Sequence, residues 1–407
     1  MKAAFALASG AALVGSGDAF VGLARLPAAA LQGTPSAAHQ RTCSSRLSMA
    51  TREAVPKAAA KITPGPGDVM TLSRYMLEQA RINVDYQEME QLMGSIQYAC
   101  KTIANLVSRA GISDLTGLQA GGGAVNVQGE EQKKLDVISN DVLKNALRST
   151  GKLGVIASEE EDHPVLVEEA FNSRYVAVFD PLDGSSNIDA AISTGTIFGI
   201  FEETEECIVE DDMDMDEAAQ LCLLNTLQPG GSLVAAGYCM YSSSTILVFT
   251  MGNGVNGFTL DPQIGEFVMT HPDIQVPTRG KIYSFNEANA NEWPAGLQTY
   301  VQKLKTGTGE SGVKYSSRYI GSMVGDVHRT LLYGGIFGYP GDTSNPTGKL
   351  RLLYEAAPMS FILEQAGGKA TTGTERVMDI NPEQVHQRVP TFLGSSDDVD
   401  ELMQAFA

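Results

Sequence analysis

The sequence has 407 residues, of which 43% are hydrophobic and 19% are charged, and its formal net charge is −19. This length and composition predict one large globular domain or two closely packed ones, and the negative charge argues against nucleic acid or an anionic membrane surface as a partner. An anionic substrate would therefore need a local cluster of positive charge or of metal ions.

The N-terminal 60 residues have the composition of a targeting leader. Lys2 precedes an apolar run over residues 3–14 that is too short to span a bilayer. From residue 19 to residue 52 the chain contains arginine but no acidic residue. We interpret residues 1–60 as a signal peptide followed by a transit peptide, the bipartite leader of algae with complex plastids. A plain secretory leader followed by a disordered pro-segment is the alternative.

Two amphipathic helices are predicted next, in "TLSRYMLEQARI" and "QEMEQLMGSIQYACKTIANLVSRAG". Apolar residues recur at three- to four-residue spacing in the second helix, which predicts a buried face. They are Met89, Leu92, Met93, Ile96, Ala99 and Ile103. Gly111 is expected to end this helix. The run Gly121–Gly123 then predicts a flexible loop, and "KKLDVISNDVLKNALRST" predicts a short strand that runs into a helix.

Three apolar runs, "KLGVIASEEE", "RYVAVFDPLDG" and "GTIFGIFEE", predict strands that end in acids or turns. An acidic tract over residues 202–217 follows, and β-type patterning resumes from Gly231. From about Lys281 short strands and helices alternate. We predict a layered α/β (α+β) architecture, with an N-terminal α+β domain over residues 68–274 and a C-terminal α/β domain over residues 275–407.

The stretch "DPLDGSS" combines acids with a small-residue turn. Asp180 is predicted at the end of an apolar strand, and Pro181 fixes the turn that follows. Gly184 and Ser185 open a predicted helix whose N-terminal amides suit a phosphate. Asp180 and Asp183 can face one metal ion across the turn, and carboxylate oxygens suit Mg²⁺. An ordinary Asp-rich turn with a helix cap would explain the same residues.

Further acids stand at predicted strand ends or beside the Gly-rich loop, and two basic residues accompany one of them. They are Glu130, Asp136, Glu159, Glu160, Glu161 and Glu355, with Lys349 and Arg351 upstream of Glu355. Each acid alone is typical of a solvated surface. Several acids at strand ends, together with Lys and Arg, indicate a multi-metal site for phosphoryl transfer.

These motifs resemble those of the fructose-1,6-bisphosphatase family, within the larger group of metal-dependent, lithium-sensitive sugar and inositol phosphatases. The larger group shares an acid pair and an Asp-Pro-x-Asp-Gly-[Ser/Thr] motif, here Glu159-Glu160 and residues 180–185. The narrower pattern is present in "KKLDVISND", "KIYSFNE", "SSRYIGSMVGDVHRTLLYGGIFGYP" and "GKLRLLYEAAPMSFILEQAGGKATTG". The match runs from about Leu72 to the end of the chain. It implies an alternating αβαβα sandwich in a homotetramer.

The resemblance implies a role for each matching residue. Ligands of Mg²⁺, for which Mn²⁺ can substitute, are implied at Glu159, Asp180, Asp183, Glu355 and the Leu182 carbonyl. Orientation and deprotonation of the attacking water are implied for Asp136, Glu160 and Glu130. Binding of the 1-phosphate is implied for Arg351 and the amides of Gly184 and Ser185. Binding of the sugar and the far phosphate is implied for Asn286, Tyr319, Met323, Tyr339 and Lys349, and for Arg318 from a neighbouring subunit.

Two departures from the family pattern affect ligand binding. No Tyr stands just after the "FNE" segment, in "NEANANEW", where relatives carry one that touches the far phosphate. Residues 85–90 differ from the Gly-Thr-Gly-Glu-Leu-Thr loop of the AMP-inhibited, cytosolic type, although Arg174 and Tyr175 remain at their places. Glu202 stands where that type carries the arginine that binds the AMP phosphate. Because a carboxylate repels a phosphate, weak or absent AMP inhibition is predicted.

Four cysteines lie outside the leader. Cys100 and Cys239 have apolar neighbours in the sequence and are predicted to be buried thiols. The acidic insert at about residues 202–226 resembles the regulatory insert of plastid-type enzymes, whose cysteines are reduced by thioredoxin. Cys207 and Cys222 match two of these cysteines, which implies a redox disulfide worth about 3 kcal/mol by loop entropy. Two unrelated thiols in a solvated charge run are the alternative.

The resemblance thus implies a plastid-type, Mg²⁺-dependent 1-phosphohydrolase of fructose 1,6-bisphosphate in the chloroplast stroma, which serves the Calvin cycle or gluconeogenesis. A sedoheptulose-1,7-bisphosphatase or a dual-specificity sugar bisphosphatase is the nearest alternative. An inositol or nucleotide phosphatase would not need Arg318 and Tyr319 in their context. A catalytically silent binding protein should have lost metal-ligand acids, and all the matching acids are present.

Overall fold

Alternating layers of helix and sheet make up the part of the chain that the computed structural model describes, namely residues 60–62, 65, 67–118, 133–167, 173–204 and 222–406. Three sequence predictions fall outside these residues. They are the leader up to residue 59, the Gly-rich loop with Glu130, and most of the acidic insert with Cys207.

The longer helices confirm the amphipathic patterns of the sequence. They are α1 (Leu72–Ile82), α2 (Tyr86–Ser108), α3 (Lys134–Arg148), α4 (Ala295–Thr306), α5 (Met323–Tyr333), α6 (Ala357–Gln365) and α7 (Ser396–Phe406). All six residues of the predicted apolar stripe on α2 are buried. Cys100 and Cys239 are buried as well, as predicted.

Two predicted boundaries were wrong. The helix α2 ends at Ser108, before a run of turns, and not at Gly111. The strand predicted before α3 is absent among the described residues, where Lys133 makes only an isolated bridge to Leu118. The reason is a local cap, since the Asp136 carboxylate accepts a hydrogen bond from the Lys133 backbone N–H at 2.8 Å and so starts the helix at Lys134.

The larger sheet has eight strands in the order β2-β1-β3-β4-β5-β6-β7-β8. They are β1 (Leu153–Ser158), β2 (Val165–Leu166), β3 (Tyr175–Asp183), β4 (Thr194–Glu202), β5 (Leu233–Tyr241), β6 (Thr245–Thr250), β7 (Asn256–Asp261) and β8 (Glu266–His271). Strands β1 and β3 are parallel, and the other neighbours are antiparallel. Every residue of β3 is buried, which explains its near-continuous apolar sequence.

The smaller sheet has five strands in the order β10-β9-β11-β15-β13. They are β9 (Ile282–Ser284), β10 (Ser316–Ser317), β11 (Ile336–Tyr339), β13 (Lys369–Thr371) and β15 (Thr391–Gly394), while β12 (Leu350–Arg351) pairs separately with β14 (Arg388–Val389). Strands β10 and β11 both run parallel to β9. The predicted domain boundary near residue 275 falls in the segment between the two sheets.

Three hydrophobic cores confirm the αβαβα sandwich. The first lies between α1–α3 and one face of the larger sheet, and the second joins the other face to α5, α6 and the smaller sheet. The third lies between the smaller sheet and helices α4 and α7. Alternation along β3 explains the layering, because Phe179 belongs to the first core and Val178 to the second. No helix among the described residues is long and apolar enough to cross a membrane.

Candidate active site

Asp180, Asp183 and Glu355 bring their carboxylates together at one point. One ligand oxygen of each lies within 4.8 Å of the others, and all three side chains are buried. Asp180 and Asp183 belong to β3, whereas Glu355 comes from a chain segment far along the sequence. Three hard oxygen donors at this spacing suit a divalent cation.

An interruption of the sheet aims both aspartates into the site. The register between β3 and β4 shifts between Asp180 and Asp183, at the proline that lacks a backbone N–H. The freed Pro181 carbonyl accepts a hydrogen bond from the Thr196 hydroxyl at 2.9 Å, and that hydroxyl also bonds the Tyr241 hydroxyl at 2.7 Å. This buried network holds the peptide between the two acids in place.

Glu355 is presented by an unusual turn. Residues Leu352–Ala356 form a single turn of π-helix that leads into α6, and such turns are frequent at functional sites. The Glu355 carboxylate accepts a hydrogen bond from the backbone N–H of Arg351 at the end of β12. The end of β12 and the turn that follows it therefore bring the Arg351 guanidinium and the Glu355 carboxylate into the same site.

Arg351 supplies positive charge between two of the acids. Its Nη2 atom lies 2.9 Å from Oε1 of Glu159, and its Nη1 atom lies 3.7 Å from Oε2 of Glu355. Glu159 directly follows β1, and its backbone N–H donates to the Phe179 carbonyl of β3 at 3.2 Å. The parallel pairing of β1 with β3 thus places Glu159 beside Asp180.

A cavity of about 130 Å³ lies at the centre of these groups. Its lining includes ten of the residues predicted from the sequence, together with Ser186, which was not predicted. The lining consists of Asp136, Glu159, Glu160, Asp180, Leu182, Asp183, Gly184, Ser185, Ser186, Arg351 and Glu355. The candidate metal, catalytic and 1-phosphate residues within the described chain are therefore assembled around one space.

The buried acids have strongly perturbed pKa values. Burial raises the pKa of Asp136 to about 7, and the charge of Glu160 adds to the effect. Burial also raises the pKa of Glu159 and of Asp183 to about 7, although Arg351 opposes both shifts. The pKa of Asp180 is raised well above its ordinary value by burial and by the charges of Glu159, Asp183 and Glu355.

Burial is the main cause of these shifts, and Arg351 lowers the pKa values of Glu159 and Asp183 without restoring them to the ordinary range. A bound cation would remove the repulsion among the carboxylates, and oxygen ligands are those that Mg²⁺ and Mn²⁺ prefer. The donor set therefore fits a divalent metal.

A short helix follows Asp183, as predicted, but it is of the 3₁₀ type. The predicted helix is a six-residue 3₁₀ helix, Ser185–Ala190, preceded by Gly184 with φ of 75°. This backbone conformation favours glycine. The first amides of a helix have no partner within the helix, and here they border the cavity.

Residues predicted to bind the far phosphate follow three neighbouring parallel strands. Asn286 lies two residues after β9, Arg318 and Tyr319 follow β10, and Tyr339 ends β11. Because β10 and β11 both run parallel to β9, their carboxyl ends meet at one edge of the smaller sheet. Tyr339 and Asp183 are near enough to Tyr319 to add to the effect of burial, which raises its pKa to about 12.

The predicted substrate residues differ in their exposure to solvent. Lys349 is exposed just before β12, and Arg318 is exposed as well. Met323 is buried at the start of α5. The next residue, Val324, donates its backbone N–H to Asp183 at 3.0 Å and so joins this segment to the metal-ligand candidates.

Sequence reasoning missed several residues that shape the site. Ser186 could have been found, because it directly follows Ser185 in the same turn. Thr196 and Asp326 carried no local signal, since one lies in an apolar strand and the other in an amphipathic helix. Thr196 bonds Pro181 and Tyr241 on neighbouring strands, and Asp326 bonds Ser284 on β9, so these contacts depend on tertiary packing.

Two predictions concern regulation. Glu202, at the end of β4, forms an ion pair with Arg174 at 2.8 Å. Arg174 is the arginine that was matched to the AMP-binding pattern of the cytosolic type, so its charge is already paired with a carboxylate. Cys222 is buried in a short helical stretch over residues 222–226. Its predicted partner Cys207 lies outside the described residues.

Comparison with known proteins gives consistent matches over this fold. The family model described as "Fructose-1-6-bisphosphatase, N-terminal domain" matches residues 70–272, and the one for the C-terminal domain matches residues 276–407. The chloroplastic fructose-1,6-bisphosphatase of Triticum aestivum is 58% identical over 347 residues, which are 85% of this chain and 84% of that protein. The Spinacia oleracea chloroplastic enzyme is 54% identical over 382 residues, covering 93% and 91%. The holo-form crystal structure of Leishmania major fructose-1,6-bisphosphatase has a TM-score of 0.76 at 43% identity, covering 83% of this chain and 99% of that one.

Proposed function

Because this chain belongs to the fructose-1,6-bisphosphatase family, and to its plastid type, we propose that it hydrolyses the 1-phosphate of fructose 1,6-bisphosphate with Mg²⁺ as cofactor. The products are fructose 6-phosphate and phosphate, and the reaction serves the Calvin cycle. The observation that carries the proposal is the buried cluster of Asp180, Asp183 and Glu355 beside Arg351 and the turn at Gly184. Mn²⁺ is expected to substitute, since it accepts the same oxygen ligands.

In the proposed mechanism the 1-phosphate lies in the small cavity. The amides that begin the Ser185–Ala190 helix and the Arg351 guanidinium bind its oxygens, which orients the phosphorus for in-line attack. Metal bound by Glu159, Asp180, Asp183, Glu355 and the Leu182 carbonyl would lower the pKa of the attacking water and neutralise phosphate charge.

Proton transfer is assigned to acids at the rim of the cavity. Asp136 has a pKa of about 7, because of its burial, and can therefore accept a proton from water near neutral pH. Its Oδ2 atom accepts a hydrogen bond from the Lys133 backbone N–H, and Oδ1 is proposed as the oxygen that takes the proton. Glu160 is proposed to share this role, and Glu130 to join it from the Gly-rich loop.

The far phosphate and the sugar are assigned to the edge of the smaller sheet. Asn286, Tyr319, Tyr339 and Lys349 would bind them, and Met323 would line the sugar pocket. Arg318 is exposed, which suits its proposed contact with the substrate of a neighbouring subunit in a homotetramer.

The decisive assay measures phosphate release from fructose 1,6-bisphosphate with Mg²⁺ and with EDTA, each before and after thiol reduction. We expect turnover only with the metal. Sedoheptulose 1,7-bisphosphate is assayed side by side, and a higher kcat/KM on that sugar would replace the proposed substrate. No release from either sugar in the presence of metal would contradict the phosphatase assignment.

Plastid location follows from the chloroplastic relatives. We propose that the protein works in the stroma of a complex plastid, which the signal and transit patterns of residues 1–60 support. We also propose that the chain divides into two domains at about residue 275. This division places the metal ligands Asp180 and Asp183 in one domain and Glu355 in the other.

Thiol reduction by thioredoxin is proposed to activate the enzyme through a disulfide between Cys207 and Cys222. Replacing Cys207 with Ser is expected to abolish activation by dithiothreitol, because the inhibitory crosslink cannot form. The matched control is Cys239→Ala, which changes a buried thiol outside the insert and should leave the activation intact. Equal activation of the Cys207 variant and the wild type would contradict the proposed disulfide.

AMP is predicted not to inhibit the enzyme at micromolar concentration. The Glu202 carboxylate pairs with Arg174, so a phosphate would meet an arginine that is already neutralised and an acid that repels it. Charge repulsion of this kind is expected to weaken AMP binding severalfold or more. Initial rates measured at 0 to about 1 mM AMP test this expectation. We expect Glu202→Gln to be more sensitive to AMP than the wild type. A micromolar inhibition constant for the wild type would overturn the prediction.

A further inference from the structure

A buried carboxylate outside the cavity organises the far-phosphate side of the site. Asp326 lies in the first turn of α5, and its side chain is fully buried. It accepts hydrogen bonds from the Ser284 hydroxyl at 2.7 Å and from the backbone N–H groups of Ile320 and Gly321 at 3.0 Å. The Arg329 guanidinium donates to it at 2.7 Å.

The donors belong to segments that carry the far-phosphate candidates. Ser284 ends β9, two residues before Asn286, and Ile320 and Gly321 directly follow Arg318 and Tyr319. Arg329 extends the link, because the same Nη2 atom also donates to the Arg318 carbonyl at 2.7 Å. One carboxylate thus joins the carboxyl ends of β9 and β10, two of the parallel strands that form this edge.

The turn held by Asp326 is anchored separately at its other end. The Gly321 carbonyl accepts from the Asn187 side chain at 3.0 Å, and the Val324 backbone N–H donates to Asp183 at 3.0 Å. These two contacts do not involve Asp326. Loss of its carboxylate should therefore loosen the far-phosphate end of the turn and leave the metal end attached.

We propose that Asp326 is a positioning residue that fixes the segments bearing Asn286, Arg318 and Tyr319 for recognition of the sugar's far phosphate. This inference rests on the proposed function. Asp326 does not line the cavity around the metal-ligand candidates, although its charge adds to the effect of burial on the pKa of Asp183. Its side-chain hydrogen bonds all go to the segments that it holds on the far-phosphate side and to Arg329. With Arg318 serving a neighbouring subunit, one carboxylate influences two substrate sites.

Charge and acceptor capacity explain why this position needs an aspartate. All the groups that face the carboxylate are donors, and Arg329 is a cation with only a 15% exposed side chain. An asparagine has one acceptor oxygen, and its NH₂ group would face N–H donors. The amide substitution therefore leaves backbone donors and a partly buried guanidinium without their acceptor, which is unfavourable.

The test uses the full chain with Mg²⁺ and the substitution Asp326→Asn. We expect the dissociation constant for fructose 6-phosphate, measured by calorimetric titration, to rise about tenfold or more, as for residues that orient binding groups. The KM for fructose 1,6-bisphosphate should rise with it. Mn²⁺ affinity, measured by electron paramagnetic resonance, should change less than the affinity for fructose 6-phosphate, because the metal end of the turn keeps its contacts with Asn187 and Asp183.

Thr330→Val is the matched control. Its hydroxyl donates to the Asp326 backbone carbonyl on the same helix, so the variant perturbs α5 and leaves the carboxylate network in place. It should bind fructose 6-phosphate like the wild type. Should Asp326→Asn fail to fold, Ser284→Ala removes a single donor and is expected to weaken fructose 6-phosphate binding by about threefold.

Two results would overturn the proposal. One is unchanged fructose 6-phosphate binding in the folded Asp326 variant, or in the Ser284 variant if that is the only one to fold. The other is an equal loss of sugar-phosphate and Mn²⁺ affinity, which would indicate a general structural role. A wild-type protein that releases no phosphate would instead contradict the proposed function, so the two failures are distinguishable.

Discussion

Replacing Asp180 with asparagine is expected to lower phosphate release by about a thousandfold or more, which is typical for loss of electrostatic catalysis. The same change should raise the thermal midpoint of the metal-free protein by a few degrees. Both effects have one cause. Burial raises the pKa of Asp180 well above its ordinary value, and the charges of Glu159, Asp183 and Glu355 add to the effect. Without metal, a neutral amide removes that repulsion, whereas with metal it replaces a proposed carboxylate ligand with an uncharged and weaker one.

Activity assays in Mg²⁺ and thermal scans in EDTA measure the two effects on one sample. Asp400→Asn is the matched control, because Asp400 is a half-exposed acid that pairs with Lys369. It should change neither activity nor the metal-free midpoint appreciably, as surface pairs contribute little. A lower midpoint for Asp180→Asn in EDTA would show that the carboxylates of the cavity do not repel one another in the folded protein.

The metal-free protein is also expected to lose stability as the pH rises from about 4 to about 7. Burial raises the pKa of Asp136, Glu159 and Asp183 to about 7 in the folded state, from ordinary values of 3.8, 4.5 and 3.8. Over this interval the folded state binds more protons than the unfolded state, so the free energy of unfolding falls as the pH increases. The stability provided by the protonated acids is complete below pH 4 and is lost through pH 7.

Metal should reverse this trend, because it stabilises the deprotonated acids that protons otherwise neutralise. At one hundred times its dissociation constant, a bound metal adds about 2.7 kcal/mol to the free energy of unfolding. Urea unfolding at several pH values between 5 and 8, with Mg²⁺ or EDTA, measures the increment. We expect a larger increment at pH 8 than at pH 5. An increment independent of pH would place the metal away from these acids.

Much of the fold could be predicted from the sequence because its signals are local. The spacing of Met89, Leu92 and Ile96 is enough to define the buried face of α2, since helical geometry repeats within a few residues. The apolar run before Asp180 predicted a strand for the same reason. Local reading failed at Lys133, where a short strand was predicted but the Asp136 cap began a helix.

The site was predicted residue by residue only through long motifs. Each acid on its own resembled a solvated surface charge in the sequence, and only the structure shows that most acids of the cavity are buried. Arg351 was predicted to bind phosphate, but its place between Glu159 and Glu355 depends on how β1 and the π-helical turn pack. Asp326 had no signal at all, because an acid in an amphipathic helix is usually solvated.

The sequence alone thus determined which residues are candidates for the chemistry, since the motif around Asp180 and Asp183 and the downstream acids predict oxygen ligands and a phosphate turn. The tertiary structure decided how these residues are arranged. It brought Glu355 to the aspartates, placed Arg351 among the acids, and joined two strand ends through Asp326. The physical reason is distance along the chain, because burial, charge coupling and hydrogen bonds between segments that are tens to more than a hundred residues apart depend on packing that no local pattern encodes.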